Sequence, residues 1–251
     1  MPCREGQAED WRDGAAYTPL LEADRSILAW EWLRRDPGYR AATRRPDGEA
    51  AGPQDWGLEA FESPDLAAPL ARPLWSRHAH PWVLSAHAEA ACSPADAFDL
   101  EPLAHLARIV RSACGAEHVL FSDGLRTVRL DVLAGSLPAG RLQLRYVLAG
   151  FGSAEKPLLT LRRLMAVRKT GRFSRSLHCP ESRAKRWVLM LRGWDGQVAG
   201  ADQREIAEVL LSRRAGEPRW RSESPSLRSQ AQRLARGARA MAAGGYRELL
   251  S

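Results

Sequence analysis

Residues 202–251 read DQREIAEVL LSRRAGEPRW RSESPSLRSQ AQRLARGARA MAAGGYRELL S, and this stretch predicts two helices joined by a basic connector. The first helix begins at Asp202, a residue type that caps helices, with Glu205 three positions later. The second begins at Ser224-Pro225, a capping residue followed by a proline whose missing N–H costs nothing there. Gly244-Gly245 ends it, because glycine tolerates the left-handed conformation that follows a helix.

The second helix has an apolar side and a basic side. At about 100° per residue, one stripe collects Leu227, Ala231, Leu234, Ala238 and Met241. The roughly opposite side collects Arg228, Arg233, Arg236 and Arg239. Such a helix can pack on one side and offer guanidinium groups to a nucleic-acid groove on the other. A solvated basic face has the same pattern, so the helix alone leaves both interpretations open.

Basic side chains extend beyond this helix. Residues 161–251 contain 20 Lys+Arg and 8 Asp+Glu. Arginines at helix starts and in loops are suited to phosphate contacts, so we predict a DNA-binding surface that continues into the connector. Besides the four helical arginines, its predicted members are Lys185, Arg213, Arg214, Arg219 and Arg221. Trp220, in the same connector, is expected to anchor the core rather than to stack on a base.

A further helix is predicted just upstream, over residues 182–194. With the two helices above it gives a trihelical unit that resembles a helix-turn-helix. The bend at residues 195–201 is short, but the connector at residues 212–224 is longer than the tight turn of the usual motif. Which helix would enter the groove is therefore left open by the sequence.

The rest of the chain predicts an α+β fold that is mostly helical. Alternating apolar residues over 117–150, broken by turns at residues 122–124 and 135–140, predict a small antiparallel β meander in the middle. Helices are expected over residues 24–35, 98–114 and 157–169. We therefore predict an N-terminal module at 1–42, a linker at 43–55, an aromatic and helical connecting region at 56–114, and a DNA-binding domain at 115–251, with its meander at 117–150 and its helical unit at 156–251.

The net charge of +7 conceals a split along the chain. Residues 1–100 hold 10 basic and 17 acidic residues, whereas residues 101–251 hold 27 and 13. The basic part favours a polyanionic partner. The acidic part could instead dock another protein, so a protein-interaction regulator without direct DNA binding is the alternative hypothesis.

No group of residues in the sequence predicts catalysis or a bound metal. His78, His80, His87 and Cys92 could supply zinc ligands, but no second cluster completes them. His178-Cys179 has no orienting acid nearby in the sequence, and no glycine-rich nucleotide motif is present. We therefore expect no catalytic residue, no metal and no cofactor. The enzyme hypothesis to be tested against this expectation is a nuclease, which would show metal-dependent cleavage of plasmid DNA.

The sequence also bears on the location of the protein. No run of about 18 apolar residues predicts a membrane span, and residues 1–10 lack the basic start and apolar segment of a secretory signal. We expect a cytoplasmic, nucleoid-associated protein without a membrane partner. The four cysteines, Cys3, Cys92, Cys114 and Cys179, are then expected to be free thiols.

Two sets of motifs resemble known families. Residues 10–13 (DWRD), Tyr17 and residues 29–40 (AWEWLRRDPGYR) resemble the proteobacterial transcriptional regulator-like N-terminal domain. Residues 204–210 (REIAEVL), the arginine-rich helix and residues 244–250 (GGYRELL) resemble the RovC-type DNA-binding domain, which is named for a regulator of type VI secretion.

This resemblance implies a transcription factor that binds double-stranded DNA and has no catalytic residues. Fused two-domain members on integrative conjugative elements of proteobacteria activate excision and transfer genes. The resemblance therefore implies an activator of mobile-element transfer or excision genes, or of secretion genes. It also implies a homo-oligomer, and it leaves a protein antagonist open as a further partner.

Overall fold

The computed structural model describes residues 10–44 and 52–251, which form helical regions at both ends and a β-sheet in the middle. The α+β fold class predicted from the sequence is confirmed. Residues 45–51, the greater part of the predicted linker, lie outside the described residues, as do residues 1–9 with Cys3. Among the described helices, none is long and apolar enough to cross a membrane.

The N-terminal part has two short α-helices where one was predicted. After a 3-10 helix, Ala15–Glu22, the chain forms α1 (Arg25–Leu33) and α2 (Pro37–Thr43). The Asp36 carboxylate caps α2 by accepting hydrogen bonds from the N–H groups of Gly38 (2.7 Å) and Tyr39 (3.1 Å). The predicted helix end at residues 36–38 is therefore also a helix start, since Pro37 occupies the first helical position.

An irregular segment follows, and it is anchored by aromatic side chains. It contains a 3-10 helix, Pro53–Trp56, and a single β-bridge between Leu58 and Trp75. Trp75 is 2 % exposed, and its Nε1 donates a hydrogen bond to the Ser26 carbonyl at 3.0 Å. This segment thus packs on α1 rather than forming a layer of its own.

The β-sheet has six strands and mixed direction. Its strands are β1 (Val83–Ala90), β2 (Ala97–Phe98), β3 (Ala107–Arg111), β4 (Glu117–Ser122), β5 (Thr127–Ala134) and β6 (Leu142–Val147). They lie in the order β2-β6-β1-β5-β4-β3, and only β1 and β5 are parallel. The three predicted meander strands exist, but β1 lies between β5 and β6, so the sheet is not a simple meander.

The prediction of a helix over residues 98–114 is wrong. The structure has a 3-10 helix at Glu101–Leu106 and then β3, which pairs antiparallel with β4. The apolar spacing in this short stretch is compatible with either structure. The β-branched pair Ile109-Val110 favours a strand, and the partner strand supplies the hydrogen bonds that decide between the two.

The C-terminal half is helical. One four-residue helix lies in the connector and was not predicted, and the other helices agree with the predicted ones to within a few residues, except at the start of the first. They are α3 (Phe151–Thr170), α4 (Ala184–Val198), α5 (Gln203–Leu210), α6 (Trp220–Glu223) and α7 (Pro225–Ala242). Asp202 caps α5 as predicted, since its Oδ1 accepts from the Glu205 N–H at 2.8 Å. Ser224, by contrast, makes no side-chain capping hydrogen bond. After α7, Gly244 has the left-handed φ of 105° that favours glycine.

Three hydrophobic clusters hold these elements together. The first joins α1 and α2 to α4, α7 and the C-terminal residues, so the two ends of the chain share one core. The second lies between the sheet and α3. The third is small and lies among α5, the connector and α7; its buried members are Ala207, Ala215, Trp220, Leu227 and Ala231. The basic surface described next is formed by elements that pack around the third cluster.

Candidate nucleic-acid interface

Helix α7 packs on one side and is exposed on the other. Leu227, Ala231 and Ala238 are buried against the neighbouring helices. The predicted arginines are all exposed: Arg228, Arg233, Arg236 and Arg239. The amphipathic pattern of the sequence therefore corresponds to an inner and an outer side of this helix.

The exposed side of α7 has a composition suited to DNA. The helix contains no Asp or Glu, and its exposed residues include serine and glutamine besides arginine. Arginine and glutamine are the side chains that most readily bind guanine and adenine edges in the major groove. Helix α5 is less suited, because it exposes Glu208 and because Glu205 pairs with Arg12 of the N-terminal part.

Arg236 and Arg239 lie at a groove between α7, α4 and α5. The groove has a volume of about 530 Å³, and its floor includes Ile206 and Leu234. Amide side chains share its lining with the two arginines: Gln197, Gln203 and Gln232. Cationic and amide groups are thus concentrated along this edge of α7.

Arg233 faces a different neighbour. It lines a shallow depression together with Lys185 and Arg186 at the start of α4 and Leu211 at the end of α5. Lys185 was predicted from the sequence as part of the surface, whereas Arg186 was not. The arginines of α7 are therefore divided between two edges of the helix.

A third basic group surrounds the start of α7. Arg219 and Arg228 line a depression with Arg204 of α5, which donates a hydrogen bond to the Gly216 carbonyl. Arg204 was not among the predicted site residues, because its place beside the connector depends on how α5 packs. Trp220 is 3 % exposed, which confirms it as a core anchor.

The remaining predicted residues lie in the connector. Arg213 and Arg214 are exposed on a 3-10 helix, Arg213–Gly216, which begins where the Ser212 hydroxyl accepts from the Arg214 N–H at 3.3 Å. Arg221 lies on α6, and its side chain is outside the described part of the structure. The connector thus consists largely of a 3-10 helix and α6.

The eight predicted cations whose side chains are described share one electrostatic property. Within the described residues, none of Lys185, Arg213, Arg214, Arg219, Arg228, Arg233, Arg236 and Arg239 forms an ion pair or a side-chain hydrogen bond. Unpaired guanidinium groups keep their full hydrogen-bonding capacity for an external anion. Phosphate oxygens of DNA are anions of this kind.

The histidines and cysteines behave as parts of the scaffold. Burial lowers the pKa of His80 to about 4, and its Nδ1 lies 2.9 Å from the Leu250 carbonyl. Among residues 10–44 and 52–251, no three His, Cys, Asp or Glu side chains are grouped to hold a metal ion. The candidate ligands His78, His80, His87 and Cys92 are thus not brought together. Cys92, Cys114 and Cys179 are free thiols.

His178 does have an acidic neighbour, which the sequence analysis missed. Its Nδ1 lies 3.2 Å from Asp24 Oδ2, an atom that also accepts from the Thr127 N–H at 2.8 Å. Burial opposes the ionisation of Asp24, but the hydrogen bond and charge of His178 outweigh it and lower the pKa of Asp24. His178 itself is 3 % exposed, so Asp24, at the start of α1, joins the segment between α3 and α4 to β5 from inside the protein.

Two family models match the chain, and together they cover well over half of it. Residues 151–251 match the DNA-binding domain of a type VI secretion transcription factor, the RovC type, and residues 10–85 match the proteobacterial transcriptional regulator-like domain. Neither is an enzyme family. The first match begins at α3, so β4, β5 and β6 precede it. No curated protein and no solved structure matches the chain. The chain is a DNA-binding transcriptional regulator that joins a proteobacterial transcriptional regulator-like domain to a RovC-type DNA-binding domain.

Proposed function

We propose that this regulator binds duplex DNA through the exposed side of α7, with the connector and the start of α4 contacting the flanking phosphates. The observation that carries the proposal is the set of exposed cations without acidic partners around a helix that contains no acid. At 1.5 Å per residue the 18 residues of α7 extend about 27 Å. The major groove of DNA is wide enough to admit an α-helix.

The contacts that we assign to individual residues of this surface follow from residue type and position. Arg236, Arg239 and Gln232 of α7 are proposed to face base edges, where arginine and glutamine distinguish guanine and adenine. Arg213, Arg214, Arg219, Arg221 and Lys185 are proposed to contact phosphates, because they lie in the connector or at a helix start.

The biological role that we propose rests on the family resemblance. The regulator acts in the cytoplasm, at the nucleoid, as a homo-oligomer that activates mobile-element transfer or excision genes, or secretion genes. A protein antagonist is a further proposed partner. The domain division predicted from the sequence remains part of the proposal, with residues 115–251 as the DNA-binding unit.

Genome-wide mapping of bound DNA, followed by a footprint of the strongest site, tests this function. The wild-type chain should protect one short duplex sequence, and the double variant Arg233→Ala/Arg236→Ala should lose the footprint while keeping the melting temperature. The matched control is Arg141→Ala/Arg145→Ala, which removes two exposed arginines at β6 and lowers the net charge equally. It should keep the footprint.

The alternative hypothesis predicts another outcome. A protein-interaction regulator would protect no DNA sequence and would instead form a stable complex with a basic partner through its acidic N-terminal part. Footprints that survive the α7 double variant would remove this helix from the site. Loss in both double variants alike would show that only net charge matters.

A further inference from the structure

Helix α3 carries an apolar stripe that faces solvent. Phe151, Leu158 and Met165 are 102 %, 48 % and 60 % exposed. They are seven residues apart, and each step of seven residues displaces the side chain by only about 20° around the helix. The opposite side of α3 packs on the sheet through Thr160, Leu164 and Val167, which are buried. The stripe is therefore the outer side of a helix whose inner side is already covered.

The stripe is flanked by one acid and one base. At 100° per residue, Glu155 and Arg162 both lie on the same flank of Leu158, and both are exposed. Neither forms an ion pair within the described residues. Ala154 and Leu161 lie on the other flank. The surface thus has an apolar centre with two unpaired opposite charges along one edge.

We propose that this stripe is an interface between two copies of the chain, in which two α3 helices pair antiparallel about a two-fold axis at Leu158. The pattern is self-complementary, as a two-fold interface requires. Phe151 and Met165 each lie seven residues, about 10.5 Å, from Leu158, so Phe151 of one copy faces Met165 of the other.

The charges agree with the same axis. Glu155 lies about 4.5 Å before Leu158 along the helix, and Arg162 lies about 6 Å after it. A two-fold axis perpendicular to the helices keeps each flank on its own side, so Glu155 of one copy meets Arg162 of the other at both ends. A parallel pair would have its two-fold axis along the helices, which exchanges the flanks, so Glu155 and Arg162 would face Ala154 and Leu161 of the other copy and would gain no opposite charge.

Neighbouring residues enlarge the surface. Val147 and Leu148, which are 43 % and 40 % exposed, come shortly before α3. A stable interface buries about 1,200–2,000 Å² in total, which three side chains per copy do not supply alone. In the antiparallel pair, the segment that precedes α3 would lie near the C-terminal end of the partner's α3 and would lengthen the contact.

This inference names the interface of the homo-oligomer proposed above, and it does not rest on DNA binding. If the exposed side of α7 binds DNA, a two-fold pair would present two such surfaces and favour a site with two symmetric halves. Failure of the α3 interface would leave the DNA-binding proposal untouched, because the two tests use different readouts.

Sedimentation velocity of the full chain, over a range of concentrations, tests the interface. The wild-type chain should sediment as an assembly of at least twice the 27.8 kDa of one chain. Leu158→Glu places two carboxylates at the axis, and it should weaken association by at least about 30-fold. Val198→Glu, at a valine of α4 that is 70 % exposed, adds the same charge elsewhere and should associate as the wild type.

A charge exchange tests the antiparallel register and does not depend on the apolar variant folding. Glu155→Arg and Arg162→Glu should each weaken association by about 3- to 10-fold, and the double exchange should restore it. A wild-type chain that stays monomeric at every concentration would overturn the proposal, as would unchanged association of Leu158→Glu. A double exchange without recovery would overturn the antiparallel register.

Discussion

The arginines of the protein interior and the arginines of α7 differ in their partners. Arg35 is 13 % exposed in its side chain and binds Glu31 (2.6 Å) and Asp195 (2.7 Å). Arg129 is 2 % exposed in its side chain and binds Asp131 at 2.9 Å. By contrast, the arginines of α7 are exposed and make no ion pair in the described part of the chain. Residue type alone therefore does not indicate function in a chain with 37 basic residues, whereas burial and an acidic partner do.

The buried set has a structural role. Asp195 of α4 receives Arg35 and also the Tyr17 hydroxyl at 2.7 Å, so this carboxylate ties the N-terminal part to the C-terminal helices. Burial disfavours charge at Glu31, yet Arg35 and Arg34 outweigh it and lower the pKa of Glu31. The Glu31 carboxylate therefore stays ionised in the interior because the two guanidinium groups lie beside it.

Removal of Arg35 should give the largest effect. Arg35→Ala leaves Asp195 and the buried Glu31 carboxylate short of a charged partner, so the free energy of unfolding should fall by about 3–5 kcal/mol. Urea unfolding followed by circular dichroism measures this difference.

Arg236→Ala is the matched control for that change. It removes the same side chain from an exposed site, so the free energy of unfolding should change by no more than about 0.5 kcal/mol. Equal losses from the two variants would abolish the distinction between the buried and the exposed set.

His80 extends the comparison, because it is a half-buried base whose Nδ1 contacts a carbonyl rather than a carboxylate. Its pKa is lowered to about 4 from 6.5, so the neutral ring is favoured in the folded state. The resulting stability is fully present above pH 6.5 and is lost as the pH falls toward 4, and the loss reaches roughly 3 kcal/mol at pH 4.

His80→Asn keeps a donor for the Leu250 carbonyl and removes the titration. The difference in unfolding free energy between wild type and variant should therefore shrink as the pH is lowered from 7 to 4. Denaturant unfolding at several pH values measures it. A constant difference would mean that His80 does not resist protonation in the folded protein.

The cap of α5 should give a smaller effect. Asp202→Ala removes the acceptor of the Glu205 N–H and should cost about 1 kcal/mol, whereas Asp202→Asn should cost less because asparagine also caps. Thermal unfolding compares the two. If the alanine variant were as stable as the wild type, the small cluster under the arginine surface would not depend on this cap.

Elements that depend on local interactions were predicted from the sequence, whereas elements that depend on contacts between distant residues were not. Helices α4, α5 and α7 were predicted closely, because caps and apolar periodicity are local. Residues 98–114 were misassigned, and β1 was not expected between β5 and β6, because strand pairing joins residues far apart in the chain. The acidic partner of His178 was missed for the same reason, since Asp24 lies 154 residues away.

The same local reasoning accounts for the exposure of the predicted site residues on α7, whose role in DNA binding stays a prediction. A helical wheel suffices to place the arginines of α7 on its outer side. It does not separate Arg233, beside α4, from Arg236 and Arg239, beside α5, and it does not add Arg186 or Arg204. Those placements depend on the packing of three helices and on the path of the connector.

The most direct test of DNA binding through this surface is the salt dependence of duplex affinity, measured by fluorescence anisotropy for the wild type and for Arg214→Ala, which removes a proposed phosphate contact. With about four phosphate contacts, the logarithm of the association constant should fall with the logarithm of salt concentration at a slope near −3.6. Loss of one contact should reduce the slope to about −2.7, while Arg145→Ala should leave it unchanged. A wild-type slope near zero, or equal slopes for wild type and Arg214→Ala, would contradict DNA binding through α7 and the cations around it.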